Sequence, residues 1–306
     1  MEVKLFGFVI ITYNRPADTL ALLQSISLLN QKDELLQEVI IVNNASTENY
    51  SLVTNFIDSN KHIPFHYIEA TENLGVSKGR NFAISKTTAP ILIVVDDDTV
   101  IQTKDSLVHL KNTFDQKLAE RPTAVVAFKV LYADTLAIQK TAFPHKNFDE
   151  YKNKTTFETY YYPGCAHAIK KDVFEKVGGY PTDFFYGMEE YDLSFRILNA
   201  GFSIIYSDTV VLLHKESPLG RTPKKEQLQM MWLNKSKVAW RYLPSIYFYS
   251  TTFLWPLFYL QKTRFDFMGF WISWKKIASI PFIEKRNEIS AKTLQYLKSI
   301  KARLWY

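Results

Sequence analysis

The chain has 306 residues, room for one large domain or for a domain with an appendage. Its hydrophobic fraction of 47% supports a sizeable core, and its single cysteine, Cys165, excludes an internal disulfide and fits a reducing compartment. The formal charge of +6 is unevenly spread: residues 1–215 hold 21 basic and 26 acidic residues (net −5), residues 216–306 hold 16 and 5 (net +11). A mildly acidic body with a basic tail points to an anionic surface as partner, either a membrane or a nucleic acid. The aromatic content of the tail favours the membrane interface.

The N-terminal apolar run Phe6–Ile11 is too short for the core of a signal peptide and leads into a polar turn. Strand and helix then alternate. Phe6–Thr12 reads as a strand, Pro16–Leu29 as a helix with Pro16 near its first turn, and Glu38–Asn43 as a strand. Tyr50–Ser59 reads as a helix, Phe65–Glu69 as a strand and Val76–Lys86 as a helix. Ile91–Val95 is a buried strand, Ser106–Leu118 a helix and Ala124–Leu131 a strand. This order predicts an α/β class, a three-layer α/β/α sandwich around a mostly parallel sheet. Residues 134–159 read as a polar excursion over the surface. Tyr160–Lys170 follows as a strand, and Asp172 caps a short helix stopped by Gly178-Gly179. Glu189–Asn199 is a helix ended by Gly201, Phe202–Tyr206 and Val210–His214 are two short strands, and Thr222–Tyr242 is a helix. The 20 positions Tyr242–Gln261 carry no charge. Pro244, Pro256 and the flanking basic segments favour an interfacial or docked helical tail over a spanning helix.

Two acidic groups carry the chemistry. Asp96, Asp97 and Asp98 end a buried strand, where sheets of this class present their ligand sites. Three adjoining carboxylates repel one another unless a cation neutralises them, and Mg²⁺ or Mn²⁺ takes oxygen ligands, often shared with substrate phosphates. A turn with an Asx cap on the next helix would use the same residues. The second group, Glu189-Glu190-Tyr191-Asp192, opens a helix. Asp192 and Arg196, four apart, pair on one face. Glu189 and Glu190 sit at the loop–helix junction, and the helix dipole keeps them ionised, the state a general base requires. His214 ends a strand; such a histidine is a structural residue or, as a neutral imidazole, a metal ligand. Arg221 and Lys224 in the following basic loop hold a diphosphate or are simply solvated.

The stretches Val9-Ile10-Ile11-Thr12-Tyr13-Asn14-Arg15, Val39–Ser46, Asn73–Asn81, Val94–Asp98, Gly178-Gly179-Tyr180, Phe184-Phe185, Glu189–Leu193 and His214 together resemble an inverting family 2 glycosyltransferase with a GT-A fold. The resemblance covers about residues 6–215, which it implies are the nucleotide-sugar-binding catalytic domain, with 216–306 a helical region. It implies donor contacts from Thr12, Tyr13, Asn14, Arg15, Asn43, Asn73, Gly75 and Arg80, with Asn43 where relatives often carry aspartate. Asp96 and Asp98 form the DXD motif, Asp98 and His214 hold Mn²⁺ or Mg²⁺, Asp97 contacts the ribose or sugar, and Arg221 meets the departing phosphate. Glu190 is the base, and Gly164 and Glu189 lie on the acceptor side. The donor is a UDP, dTDP or GDP sugar and the acceptor a glycan or lipid-linked glycan. Cell-surface polysaccharide or glycolipid assembly in the cytoplasm, at the inner face of the membrane, is the implied setting.

Three other readings use the same residues. Asp96-Asp97-Asp98-Thr99-Val100 fits a haloacid dehalogenase-type phosphatase, but falls after several strand–helix units and lacks a downstream Gly-Asp-x-x-x-Asp loop. A non-catalytic sugar-binding module does not need both acidic groups and His214. Nucleic-acid binding by the basic, aromatic tail conflicts with its long uncharged apolar stretch.

Overall fold

A computed structural model describes residues 4–220 and 222–305. The described residues form nine strands: β1 Phe6–Thr12, β2 Leu36–Asn43, β3 Phe65–Glu69, β4 Ile91–Asp96, β5 Thr99–Ile101, β6 Thr123–Tyr132, β7 Thr156–Thr159, β8 Ala166–Lys170 and β9 Ser203–His214. Between them come α1 Pro16–Ser27, α2 Lys32–Leu35, α3 Ser51–Ser59, α4 Gly75–Ile84, α5 Ser106–Asp115, α6 Phe148–Tyr151, α7 Lys171–Lys176 and α8 Glu189–Asn199. Four more helices close the chain: α9 Lys224–Tyr242, α10 Ser245–Thr263, α11 Phe267–Ile283 and α12 Ala291–Ser299.

The strands join one sheet in the order β3-β2-β1-β4-β8-β6-β9-β5, with β7 pairing the first half of β9. The four strands β3, β2, β1 and β4 are parallel; β8 runs antiparallel to β4 and β6, and β5 and β7 antiparallel to β9. Alternation along each strand sorts side chains between two cores. Phe8 and Ile10 of β1 and Ile93 and Val95 of β4 face α1 and α5, whereas Val9, Leu92 and Val94 face α4 and α8. That division is the physical basis of the expected three-layer sandwich. The second core continues past residue 215: Val238, Tyr242, Tyr247, Leu297 and Leu304 belong to it.

Several expectations need correction. The excursion at 134–159 is anchored inward: Phe143, Tyr151, Phe157 and Tyr206 form a small aromatic core, and Phe157 pairs with β9 as part of β7. Within the expected strand Tyr160–Lys170 only Ala166–Lys170 is extended, because Pro163-Gly164 breaks the run. The two short strands after Gly201 are one strand, β9. Asp172 sits in the first turn of α7, whose N-cap is Lys170. No helix among the described residues is long and apolar enough to cross a membrane.

Candidate active site

A cavity of about 430 Å³ opens at the carboxyl ends of β1 and β4, within the usual size range of small-molecule sites. β4 ends at Asp96, Asp97 and Asp98 turn, and β5 begins at Thr99, whose hydroxyl donates to the Asp96 carbonyl at 2.7 Å. The antiparallel pairing of β5 with β9 sets Thr99 opposite His214. That register, and no proximity in sequence, brings His214 Nε2 to 3.2 Å from Asp98 Oδ1. One ligand atom from each of Asp96, Asp98 and His214 can be chosen so that all three lie within 4.8 Å of one another. Two carboxylates and an imidazole could hold a divalent metal ion.

The second acidic group arrives on α8. Gly187 and Met188 both adopt left-handed backbone, φ +80° and +74°. For methionine this costs about 1–2 kcal/mol, the kind of strain that recurs at functional turns. Asn234 of α9 holds the turn, its Nδ2 donating to the carbonyls of Tyr186 (3.1 Å) and Gly187 (2.9 Å). Helix α8 then starts with Glu189 and Glu190 in its first turn, both lining the cavity.

Arg80 of α4 ties the two groups together. Nearly fully buried, it donates from Nη1 to Glu190 Oε1 at 2.8 Å and from Nη2 to Asp96 Oδ1 at 2.9 Å and the Gly164 carbonyl at 3.0 Å; Glu189 Oε1 is 3.6 Å away. A Cβ at 164 would overlap Glu190 Oε1 and stand 2.9 Å from Arg80 Nη2, so any larger residue there would displace both side chains. Arg15 does the same for the other acids, with Nη1 2.8 Å from Asp97 Oδ1 and 3.3 Å from Asp98 Oδ2. Its Nε donates to the Leu219 carbonyl at 2.6 Å, which fastens the segment after β9 over the site.

Five carboxylates against two guanidinium groups leave the site short of positive charge, and the proton affinities register it. Burial, opposed by Arg15 and reinforced by Asp98, pushes Asp97 up to about 7. Burial and the charge of Glu190, opposed by Arg80, push Glu189 up to about 8. The expectation that the helix dipole keeps Glu189 ionised is therefore overturned: desolvation of a nearly fully buried carboxyl, whose Oε2 finds no partner, outweighs a dipole effect of about 0.3–1 kcal/mol. Burial disfavours the imidazolium of His214, but hydrogen bonding to Asp98 and Cys165 outweighs it and carries the pKa to about 11. A cation bound between His214 and Asp98 would take the place of that proton.

Thr12, Tyr13, Arg15, Asn73, Gly75, Arg80, Asp96, Asp97, Asp98, Gly164, Glu189, Glu190 and His214 all line the one cavity. Asn14 and Asn43 do not. Asn14 (φ +55°) accepts from Thr47 N at 2.8 Å, and Asn43 accepts from Ser46 N at 2.9 Å and donates to Tyr67 Oη at 2.8 Å, so both amides brace the loops beneath the cavity. Gly75 (φ +71°) does make a close approach, but to Phe185, whose ring lies 2.7 Å from where a Cβ would stand. Arg221 lies outside the described residues.

Sequence reasoning passed over Asn44, Gln139, Tyr161, Cys165 and Met231, which also line the cavity. Gln139 Oε1 lies 2.9 Å from His214 Nδ1, and its Nε2 donates to Glu216 at 2.7 Å. Nothing local marks a glutamine 75 residues before its partner. The Pro163-Gly164 pair, in contrast, is a readable sign that Tyr161 and its neighbours belong to a loop.

Residues 8–178, more than half of the chain, match the family described as glycosyl transferase family 2, and residues 144–215 match the N-terminal domain of galactosyltransferase. The chain belongs to glycosyl transferase family 2 and is a glycosyltransferase. An uncharacterized protein of Haemophilus influenzae is 29% identical over 181 residues, 58% of this chain and 94% of that protein. Among solved structures, GalNAc-T7 with UDP, GalNAc and Mn²⁺ superposes with a TM-score of 0.61 at 15% identity, covering 81% of this chain and 50% of its own. The Pyrobaculum calidifontis mannosyltransferase PcManGT with GDP-Man and Mn²⁺ gives 0.61 at 16%, covering 97% and 80%. S. aureus TarS 1–349 with UDP gives 0.51 at 16%, covering 76% and 69%. These likenesses establish the GT-A fold. Family membership sets aside the phosphatase and the non-catalytic binding module.

Proposed function

We propose that this glycosyltransferase is metal-dependent and inverting, and that it moves a sugar from a UDP, dTDP or GDP donor to a hydroxyl of a glycan or lipid-linked glycan. The observation that carries this reading is the shared guanidinium of Arg80, which touches Glu190 at 2.8 Å and Asp96 at 2.9 Å, so that a proton acceptor and a cation-binding acid face one cavity. Glu190 Oε1 is engaged by Arg80, which leaves Oε2 to accept the proton of the acceptor hydroxyl. As that proton leaves, the acceptor oxygen forms its bond to the anomeric carbon, and the bond from that carbon to the diphosphate oxygen breaks on the opposite side. Configuration at the anomeric carbon is thereby inverted. Asp96, Asp98 and His214 would hold Mn²⁺ or Mg²⁺, which supplies charge neutralisation for the departing diphosphate.

Arg15 keeps Asp97 and Asp98 in place and fastens the segment at 217–219, so it orders the donor side of the cavity. Thr12, Tyr13, Asn73 and Arg80 contribute the remaining donor wall. Gly164 and Glu189 stand beside Glu190 on the acceptor side. In this reading residues 1–215 supply the catalytic groups, and the helices α9 to α12 follow them. Polysaccharide or glycolipid assembly in the cytoplasm is the setting we assign. A panel of nucleotide sugars tests the reading through donor hydrolysis with Mn²⁺ and with EDTA. One donor class should be hydrolysed, and chelation should stop it; binding and hydrolysis indifferent to EDTA would remove the metal from the mechanism.

A further inference from the structure

Helices α10 and α11 carry an apolar face that no other part of the described chain covers. On α10 the exposed large side chains are Ile246, Tyr249, Phe253, Leu254, Leu257 and Phe258, between 41% and 67% accessible. They recur at steps of three and four residues and form one stripe along the helix. The opposite side is already in use: Phe248, Trp255 and Tyr259 pack with Trp232 of α9 and with Ile277 and Ile280 of α11. On α11 the pattern repeats, with Phe267, Met268, Trp271, Ile272, Phe282 and Ile283 exposed, Phe282 by 88%. The two stripes meet where Phe253 lies against Trp274, ring centroids 6.1 Å apart. A helix that packs on its own protein through one apolar face should turn a polar face outward; these two turn a second apolar face outward.

Charge decides what covers that face. Between residues 245 and 283 the basic side chains Lys262, Arg264, Lys275 and Lys276 are all exposed, and the single acid, Asp266, is engaged by the Tyr259 hydroxyl at 2.8 Å and by Gly269 N at 3.3 Å. Trp, Tyr and Phe along a stripe flanked by Lys and Arg is the composition of a helix lying in a bilayer interface, with rings among the acyl chains and cations among anionic headgroups. No described helix is long and apolar enough to cross a bilayer. We propose that α10 and α11 together seat this protein on the surface of a bilayer containing anionic lipid. Helix α9 links the dock to the active site: its Met231 lines the cavity and its Asn234 holds the turn before Glu189, while Trp232 and Ala239 pack against the docking helices. The proposal goes beyond the catalytic reading and stands whichever sugar is moved.

Flotation of the full chain with vesicles tests it without any catalytic readout. With phosphatidylcholine vesicles containing about 30 mol% phosphatidylglycerol the protein should float, and raising salt from about 0.1 to about 0.5 M should reduce the bound fraction without abolishing it. The triple variant Phe253→Ser, Leu257→Ser, Trp271→Ser should lower partitioning at least about tenfold, with its circular dichroism melt unchanged. Lys275→Glu with Lys276→Glu should lower binding to the anionic vesicles only. Wild-type protein left unfloated, or a triple variant that floats as well as wild type, overturns the proposal. So does a wild-type dimer, seen by light scattering, that the triple variant dissociates and vesicles do not; the face would then belong to a second copy of the chain.

Discussion

Replacing Glu190 by glutamine keeps the shape of the side chain and its bond to Arg80 but removes its capacity to take a proton. The structure bounds the collateral damage. Arg80 retains Asp96 at 2.9 Å and the Gly164 carbonyl at 3.0 Å, and the glutamine carbonyl can still accept at the position of Oε1. No buried charge is left unpaired, so the cost to folding should be about 1–2 kcal/mol. The rate should fall far more. General base catalysis contributes about 10²–10⁴-fold, equivalent to about 3–5 kcal/mol of barrier. The charge of Glu190 is also, after burial, the largest cause that raises Glu189; without it Glu189 ionises more readily and can take over the pairing with Arg80 from 3.6 Å. The assay is steady-state transfer with the donor found in the panel, alongside calorimetric donor binding in Mn²⁺. The expected result is a fall in kcat of two to four decades (roughly 10²–10⁴-fold) with donor affinity nearly unchanged, and no recovery in the double variant Glu189→Gln, Glu190→Gln. A kcat within about tenfold of wild type, at equal donor affinity, would refute the assignment of the base.

Asp98→Ala should weaken donor binding in Mn²⁺ and leave a residual affinity that no longer responds to EDTA, because it removes an acid from the group proposed to hold the cation; titration calorimetry with and without the ion measures both. Gly164→Ala should lower kcat by about tenfold or more, since the added Cβ displaces Glu190 and Arg80 together, and reaction rates compared with donor affinity will show whether the loss is confined to catalysis. Glu189 supplies a pH signature. Its pKa rises from 4.5 to about 8 on folding, so the native state binds the extra proton. Its contribution is fully present below pH 4.5 and is lost as pH rises through about 8. Denaturant midpoints measured across that window should fall with rising pH in the wild type and less steeply in Glu189→Gln; parallel profiles would remove the buried proton from the account.

What could be read from sequence follows from what is local. The strands at Phe6–Thr12 and Phe65–Glu69 and the helix Glu189–Asn199 have the bounds expected of them, because a strand shows as a short apolar or aromatic run between turn residues and a helix as a three-to-four-residue repeat stopped by glycine. The acidic triplet was visible for the same reason, three adjacent carboxylates closing a core strand. Where local chemistry had two solutions, the sequence did not choose. Residues 134–159 are polar enough to pass for a surface excursion, yet Phe143, Tyr151 and Phe157 find partners in β9, some fifty residues further on, and carry Gln139 to His214. Asn14 and Asn43, expected at the donor, use their amide oxygens to accept from backbone N–H groups of neighbouring loops, and Asn43 donates to the Tyr67 hydroxyl.

The sequence by itself determined the alternation of strands and helices, the placing of two acidic groups at element ends, and the separation of an acidic body from a basic, aromatic tail, since each depends on composition within a few residues. Tertiary structure alone decided that β5 sets His214 against Asp98, that one arginine from α4 spans Asp96 and Glu190, and that burial raises the proton affinity of Glu189. It also decided which faces of α10 and α11 stay uncovered. The reason is physical: register, burial and electrostatic coupling are sums over groups far apart in the chain, and no local pattern contains those distances.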